Sequence, residues 1–351
     1  MRLGFIGDIL RWALDLIYSL VGNYGWAVII FSLLIKCVLL PLDIKSRRSM
    51  RAMSALNPKM EELKKRYKDD QQKLNQKMSD LYKKNKVNPL SGCLPMLIQL
   101  PILWIMFKVM RYAAAELQMQ EMFKWVSANL TDGNGTFLAL DSTAVQNALE
   151  TIRSGGALSA FNQESWLWIK NVFQPDTFSK TVIPTISEIS TTLQQYKDML
   201  TEKGWYDLLS QYVQDANGIA SAVDAAVRES CGYKSFDLFM GLTKINFPTN
   251  WSTYVNGVCA LPILAAVTQV LSTKLQPTQP DANSNSAATG KFMTWFFPLF
   301  SLWICWSSTA AFSIYWVFVN VWTIVTTFFI NKLIDRKEAA GGQTTKEELN
   351  P

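Results

Sequence analysis

The residues of this sequence offer little of the chemistry that a catalytic or metal site needs. The chain has no His, and its five Cys include no C-x-x-C pair. This excludes His-based general base catalysis and the usual metal clusters. The motifs G-x-x-x-x-G-K-S/T, G-x-G-x-x-G and G-x-S-x-G, which bind nucleotides or present a catalytic Ser, are absent. We therefore expect no enzymatic activity, no metal and no cofactor.

The most informative side chain is Lys36, which lies in an otherwise apolar stretch of about 20 residues. A cation at membrane depth costs about 2.5–3.5 kcal/mol on insertion scales unless it is paired or faces water. None of the long apolar segments of the chain contains Asp or Glu, so we expect that no ion pair compensates this charge. Two interpretations stay open: Lys36 extends its ammonium to the nearby interface, or it lines a hydrated, positively charged groove open to the cytoplasm.

A wet groove of this kind would have a definite physical use. A hydrophilic segment that crosses a bilayer must keep its backbone and charges solvated, and a cation in the groove would attract acidic residues of that segment. Neutral polar side chains within the apolar segments could line the groove beside Lys36. The candidates are Ser32, Gln99, Gln269, Ser272 and Asn320.

The elements that would position these residues are apolar helices, and we expect an all-α, polytopic membrane protein. Five segments are long and apolar enough to cross a bilayer. These transmembrane helices are expected at 22–42, 93–113, 246–273 and, as a pair, within 292–332.

The remaining segments are polar or amphipathic. Residues 1–21 predict an amphipathic helix in the outer interface, with a degenerate signal or anchor as the alternative. We expect a cytoplasmic helical hairpin at 43–92 and a large, mainly helical extracytoplasmic insertion at 114–245. The insertion has amphipathic stretches near 141–153, 186–203 and 205–230, which predict helices there. A cytoplasmic linker at 274–291 and a cytoplasmic tail at 333–351 complete the chain.

The distribution of charge predicts the orientation. Residues 43–92 hold 14 Lys/Arg and 6 Asp/Glu, a net charge of +8, whereas residues 113–245 hold 9 and 15, a net charge of −6. Because segments rich in Lys/Arg stay on the cytoplasmic side, we expect the N-terminus outside and the C-terminus inside.

The basic hairpin has two open interpretations. It is either a solvated charged surface that only fixes the topology or a platform for partners and anionic lipid headgroups. Helical periodicity predicts one helix over 49–68 and a second over 70–86, with Asp70 as a good N-cap. The basic residues that could bind partners are Arg47, Arg48, Arg51, Lys64, Lys65 and Arg66.

Several long motifs occur in a fixed order along the chain. They are LIKCVLLPL at 34–42, NPLSGCLPMLIQLPI at 88–102, WLWI at 166–169 and AAFSIYWVFVN at 310–320. These motifs resemble the YidC/Oxa family of membrane protein insertases, over roughly residues 20–112 and 250–332. The resemblance implies a five-helix core with a hydrophilic groove open to the cytoplasm. It also implies the insertion and folding of integral membrane proteins, alone or with the Sec translocon.

The resemblance assigns roles to particular residues. Lys36 stands where bacterial members usually carry Arg, and a Lys keeps the charge but loses the two-pronged donor geometry. Ser272 falls near a position where some relatives carry a groove Gln, and Gln269 lies one turn earlier. Trp316 falls where family members place an aromatic ring that contacts the incoming segment.

The resemblance further implies the setting in which the protein works. Its partners would be nascent membrane proteins, ribosome–nascent chain complexes and anionic lipids, with no specific nucleic-acid binding, and it would act as a monomer in a bacterial plasma membrane. The sequence has no lipoprotein-type Cys near its start and no large domain ahead of the first span. This resembles the Gram-positive type, although the insertion at 114–245 is far longer than in typical members of that type.

Two other functions remain open at this point. A small-solute transporter or channel is one, although the spans lack acidic coupling residues and an internal inverted repeat. A membrane scaffold whose working part is the outer insertion is the other. We expect that insertion to form a helical cap with Trp166 and Trp168 at the interface, where it would brace the core, dock a partner or be a passive addition.

Overall fold

The computed structural model describes residues 4–68, 70–85, 90–155, 164–238, 243–249, 255–275 and 284–347. The chain divides into two compact units, each assembled from three separate stretches. The first unit comprises Met1–Phe31, Ile105–Leu264 and Leu302–Trp316. The second unit comprises Ser32–Trp104, Ala265–Ser301 and Val317–Pro351.

Most of the described chain is helical, which confirms the expected helical character. The helices are α1 (Phe5–Val21), α2 (Tyr24–Ser54), α3 (Asn57–Arg66), α4 (Gln71–Lys84), α5 (Leu90–Asn129), α6 (Thr143–Arg153), α7 (Ile186–Gln195), α8 (Lys197–Glu202), α9 (Tyr206–Gln214), α10 (Ile219–Cys231), α11 (Ala260–Leu275), α12 (Ser284–Ser307) and α13 (Ala310–Glu347). The strands β1 (Tyr233–Leu238) and β2 (Thr243–Pro248) pair antiparallel between α10 and α11. Helices α2, α5, α11, α12 and α13 each contribute one portion to either unit.

Two helices of the described chain are long and apolar enough to cross a membrane. They are α2 and the Ala310–Lys332 part of α13, whereas the apolar helical stretches Ala260–Leu275 and Trp295–Ser307 are shorter. The expected number of five transmembrane helices therefore stays a prediction.

The second unit contains the basic hairpin, whose helices differ from the predicted ones. The helix expected over 49–68 is interrupted, because α2 ends at Ser54 and α3 begins at Asn57. Pro58 explains the break, since a proline favours the first turn of a helix and cannot donate within an uninterrupted one. The predicted cap is confirmed: the Asp70 carboxylate accepts from the backbone N–H of Lys73 at the start of α4.

Helices α3 and α4 pack through a small apolar cluster. Its buried members are Leu56, Met60, Leu74 and Met78. The hydroxyl of Tyr82 also lies 3.5 Å from the sulfur of Met60. These positions recur at helical spacing in the sequence, so the packing follows from the amphipathic pattern.

The core of the first unit is built from the C-terminal part of α5 together with α6 to α10. We expected amphipathic helices near 141–153, 186–203 and 205–230, and α6 to α10 confirm them. Thr185 and Glu188 form a complete capping box at the start of α7. The buried apolar side chains include Met119, Met122, Leu130, Leu149, Ile152, Leu193, Leu209, Tyr212 and Val223.

The β1–β2 hairpin was not predicted. A transmembrane segment was expected to start at 246, but β2 occupies Thr243–Pro248 and α11 begins only at Ala260. Residues 233–248 alternate between apolar and polar types, which is typical of a strand. The apolar run at 238–240 interrupts this alternation, so the pattern was not recognised as two strands.

Within the first unit, helix α1 packs on the other elements through its polar side. Arg11 is bonded to Asp15 at 2.7 Å and to Glu116 of α5 at 3.2 Å. Tyr18 donates to the Glu164 carboxylate, and burial together with this bond raises the pKa of Tyr18. The opposite side of α1 exposes large apolar side chains, namely Phe5, Ile9, Trp12, Leu16 and Leu20. This arrangement is typical of a helix that lies in a membrane interface.

The irregular segment 164–183 forms hydrogen bonds with several parts of the first unit. The fully buried Asp176 accepts from the backbone N–H groups of Val258 (2.9 Å) and Leu261 (2.7 Å) and from the Trp168 indole (3.2 Å). Because Leu261 lies in the first turn of α11, the Asp176 carboxylate caps this helix from a distant part of the chain. A side chain at Gly257 would overlap the Asp176 carboxylate, so this position requires glycine.

We predict that Asp176→Ala lowers the free energy of unfolding by about 2–3 kcal/mol, because it leaves one buried and two part-buried donors without an acceptor. Thermal unfolding of the detergent-solubilised protein measures this effect. Asp141→Ala is the matched control, since Asp141 is an exposed carboxylate of the same unit. Equal melting temperatures of the two variants would contradict the assignment.

Candidate functional site

The buried polar side chains of the second unit begin on one face of α2. Ser32, Lys36, Asp43 and Arg47 follow one another at steps of four, seven and four residues, which places them on the same side of the helix. Ser32 is fully buried, and the side chains of Lys36 and Arg47 are 5% and 8% exposed. This face therefore carries two cations inside the protein.

Asp43 is an acidic neighbour of Lys36 that lies beyond the expected end of the apolar stretch. Helix α2 continues for three turns beyond residue 42 and places Asp43 two turns from Lys36 and one turn from Arg47. The Asp43 carboxylate interacts electrostatically with both cations. One carboxylate between two cations lowers the cost of burying the charges and leaves a net positive charge on this face.

Arg47 connects α2 to α13. Its guanidinium donates to the hydroxyl of Thr327 and, at 3.4 Å, to the backbone carbonyl of Thr323. We expected Arg47 among the exposed residues of the hairpin, and the structure places it inside instead. The reason is that α2 does not end with its apolar stretch, so Arg47 shares the face of Lys36.

The other predicted hairpin residues lie closer to solvent. The side chains of Arg48, Lys65 and Arg66 are exposed, and those of Arg51 and Lys64 are half-buried. These five residues form a basic, at least partly exposed set, and their binding of partners stays a prediction.

Asn320 connects α13 to α11 within the same unit. Its side-chain amide donates to the Thr268 hydroxyl at 3.2 Å and to the backbone carbonyl of Ala265 at 3.4 Å. Asn320, Thr323 and Thr327 recur at steps of three and four, so one stripe of α13 contacts α11 at Asn320 and α2 at Thr323 and Thr327.

Helix α11 brings two further candidates to the side that contacts Asn320. Ser272 is buried, and Gln269 donates to the Thr273 hydroxyl at 3.5 Å. Both residues follow Ala265 and Thr268 at helical spacing. Helices α2, α11 and α13 thus present polar side chains on the sides through which they are connected.

The last two candidates are not among the described side chains of the second unit. Trp316 belongs to the first unit, where it is buried and its ring lies 5.7 Å from that of Phe312. The side chain of Gln99 lies outside the described part of the structure.

The chemistry of this polar face suits an anionic, hydrogen-bonding polypeptide. Ammonium and guanidinium groups attract carboxylates, and hydroxyl and amide groups can solvate a peptide backbone. Within the described residues, no cluster of three His, Cys, Asp or Glu could hold a metal ion.

The family model and the similar proteins all indicate the same family of membrane proteins. The family described as "60Kd inner membrane protein" matches residues 16–223 and 206–338. A protein named "Membrane protein insertase YidC" from Thioalkalivibrio sulfidiphilus is 45% identical over 124 residues. Proteins of the same name from Francisella tularensis subsp. novicida and subsp. tularensis are 47% identical over 124 residues. Each match covers 35% of this chain and 22% of the relative, so the chain spans about a fifth of the length of these relatives.

We predict that Arg47→Ala destabilises the second unit by about 1–2 kcal/mol, because it removes hydrogen bonds between two apolar helices. Arg48→Ala is the matched control, since it deletes the same side chain at the neighbouring, exposed position. Thermal unfolding in detergent compares the two variants. A melting temperature of Arg47→Ala as high as that of Arg48→Ala would show that the contact with α13 contributes nothing.

Proposed function

This chain belongs to the YidC/Oxa family of 60Kd inner membrane proteins, and from that premise we propose that it inserts and folds integral membrane proteins. The observation that carries the proposal is the buried, net positive face of α2, where Lys36 and Arg47 flank Asp43. A globular core rarely retains two buried cations with one acid unless they serve a purpose. A surface that solvates a passing polypeptide is such a purpose.

In the proposed mechanism, the groove is lined by α2, α11 and α13 and opens to the cytoplasm. The polar outer segment of a client enters it and replaces part of its water shell with side chains such as Ser32, Ser272 and Asn320. Lys36 attracts acidic residues in the segment, so the charged part crosses a shorter apolar path. Burial of the apolar client helix in lipid supplies the driving force, and no fuel or covalent step is required.

The identity of the groove cation affects which clients are favoured. Lys carries a compact charge on a flexible stem, whereas Arg presents a planar donor pair that fits a carboxylate in two places. We therefore propose that Lys36 attracts acidic residues over a range of positions and does not fix one geometry. The Asp43 carboxylate also attracts the Lys36 ammonium, and this weakens the attraction between Lys36 and the acidic residues of the client.

We further propose the arrangement in the membrane. Five helices cross the bilayer, the N-terminus is outside, and the hairpin and the C-terminus are in the cytoplasm. The support is the basic charge of residues 43–92 and the acidic charge of residues 113–245. The exposed basic residues of α3 would receive ribosome–nascent chain complexes and anionic lipid headgroups, with or without the Sec translocon.

We predict that Lys36→Ala lowers the insertion of a client with an acidic outer segment by about tenfold, which corresponds to roughly 1.4 kcal/mol of lost attraction. Lys36→Arg should retain insertion, because it retains the charge. Protease protection of the client in proteoliposomes measures insertion, and Lys45→Ala is the control for an exposed cation of the same helix. A second client, with its acidic residues changed to amides, should respond little to Lys36→Ala. Full activity of Lys36→Ala on the acidic client would refute the role of Lys36.

We predict that joint replacement of Lys64, Lys65 and Arg66 by Glu weakens co-sedimentation with ribosome–nascent chain complexes, because it reverses the charge of the exposed end of α3. The control exchanges Lys and Arg at these three positions and keeps every charge. The difference should disappear at about 1 M salt, where the screening length falls to about 3 Å. Equal binding of both variants at low salt is the outcome that would exclude this surface.

A further inference from the structure

The β1–β2 hairpin of the first unit has one face that is mainly apolar and one that is mainly polar. Phe236 pairs with Ile245 and Lys234 with Phe247, so Phe236 and Phe247 are diagonal neighbours on one face. By this register, the face of Phe236 and Phe247 also includes Lys234, Leu238, Thr243 and Ile245, whereas the opposite face comprises Tyr233, Ser235, Asp237, Lys244, Asn246 and Pro248.

The aromatic rings of the apolar face form a continuous series. The ring centroids of Phe236 and Phe247 are 5.9 Å apart, and Phe247 stacks on Phe178 at 4.4 Å. Phe178 in turn meets the indole of Trp306 at 5.8 Å. The series therefore runs from the hairpin to the C-terminal end of α12.

Part of this face remains exposed. The side chains of Phe236 and Phe247 are 54% and 41% exposed, although each contacts another ring. A two-stranded hairpin is at best marginally stable in water, and exposed apolar surface of this kind needs a partner.

The surroundings of the series indicate what that partner is. On α12, Trp303 and Trp306 are both exposed, one turn apart, at the end of an apolar helical stretch. Exposed Trp at the end of an apolar helix is typical of the boundary between lipid headgroups and acyl chains. The mainly apolar face of the hairpin is continuous with this boundary through Phe178.

We propose that the β1–β2 hairpin lies in the outer leaflet interface and binds the lipid surface through Phe236 and Phe247. The hairpin then anchors the first unit beside the outer end of α12 and keeps an edge of the insertion at membrane depth. This proposal rests on the proposed crossing of α12 but does not require insertase activity.

The test uses the full-length protein in native membrane vesicles. A photoreactive p-benzoylphenylalanine replaces Phe236, Phe247, Ser235 or Trp303 in separate variants, and mass spectrometry detects lipid adducts after irradiation. Position 303 reports whether this part of α12 contacts lipid. Position 235 is the matched control on the polar face of the same hairpin. Only variants present at the level of the unmodified protein are compared.

The expected result is lipid adducts at positions 236, 247 and 303, with at least several-fold fewer at 235. Adducts at 303 but not at 236 and 247 would overturn the proposal for the hairpin alone. Protein adducts at 236 and 247 would assign the face to a protein partner and would overturn it as well. Absence of adducts at all four positions would contradict the membrane location of α12, and with it this proposal, without bearing on client insertion.

Discussion

The cost of placing charge inside an apolar helix is the constraint on which the second unit depends. Lys36 and Arg47 are both buried on α2, and Asp43 lies between them along the same face. Removing two cations from water without compensation would cost several kcal/mol each. The carboxylate, the Thr hydroxyls and the backbone carbonyl that accepts from Arg47 offset much of this cost. The net charge that remains is the one that our proposal assigns to attracting a client polypeptide.

Helix α13 makes polar contacts with both α11 and α2. Its stripe of Asn320, Thr323 and Thr327 reaches α11 at one level and α2 one to two turns later. In our proposal, the same side chains that fix helix packing also line the groove. A substitution on this stripe should change stability and client insertion together, whereas Lys36 is separable because its proposed task is attraction.

Local patterns predicted much of this structure, and contacts between distant residues account for most of what was missed. Amphipathic spacing predicted α6 to α10 and the second helix of the basic hairpin, and Asp70 was predicted as a cap. Hydropathy marks the end of an apolar stretch but not the end of a helix. The sequence analysis therefore assigned Asp43 and Arg47 to the hairpin, although they lie in the same helix as Lys36. No periodic signal predicts that Asp176 caps α11. The apolar run within residues 233–248 masked the alternation of the β1–β2 hairpin.

Site-specific photocrosslinking from α2 to a stalled nascent chain tests the central claim most directly. The photoreactive residue replaces Leu39, which is half-buried and lies between Lys36 and Asp43 on the same face, so both charges are retained. Val38, whose side chain is 78% exposed, provides the control position on the opposite side of α2. The account predicts crosslinks from position 39 to the polar outer segment of the client, stronger when that segment is acidic, and crosslinks mainly to lipid from position 38. Lipid crosslinks alone from both positions would contradict a groove on this face of α2.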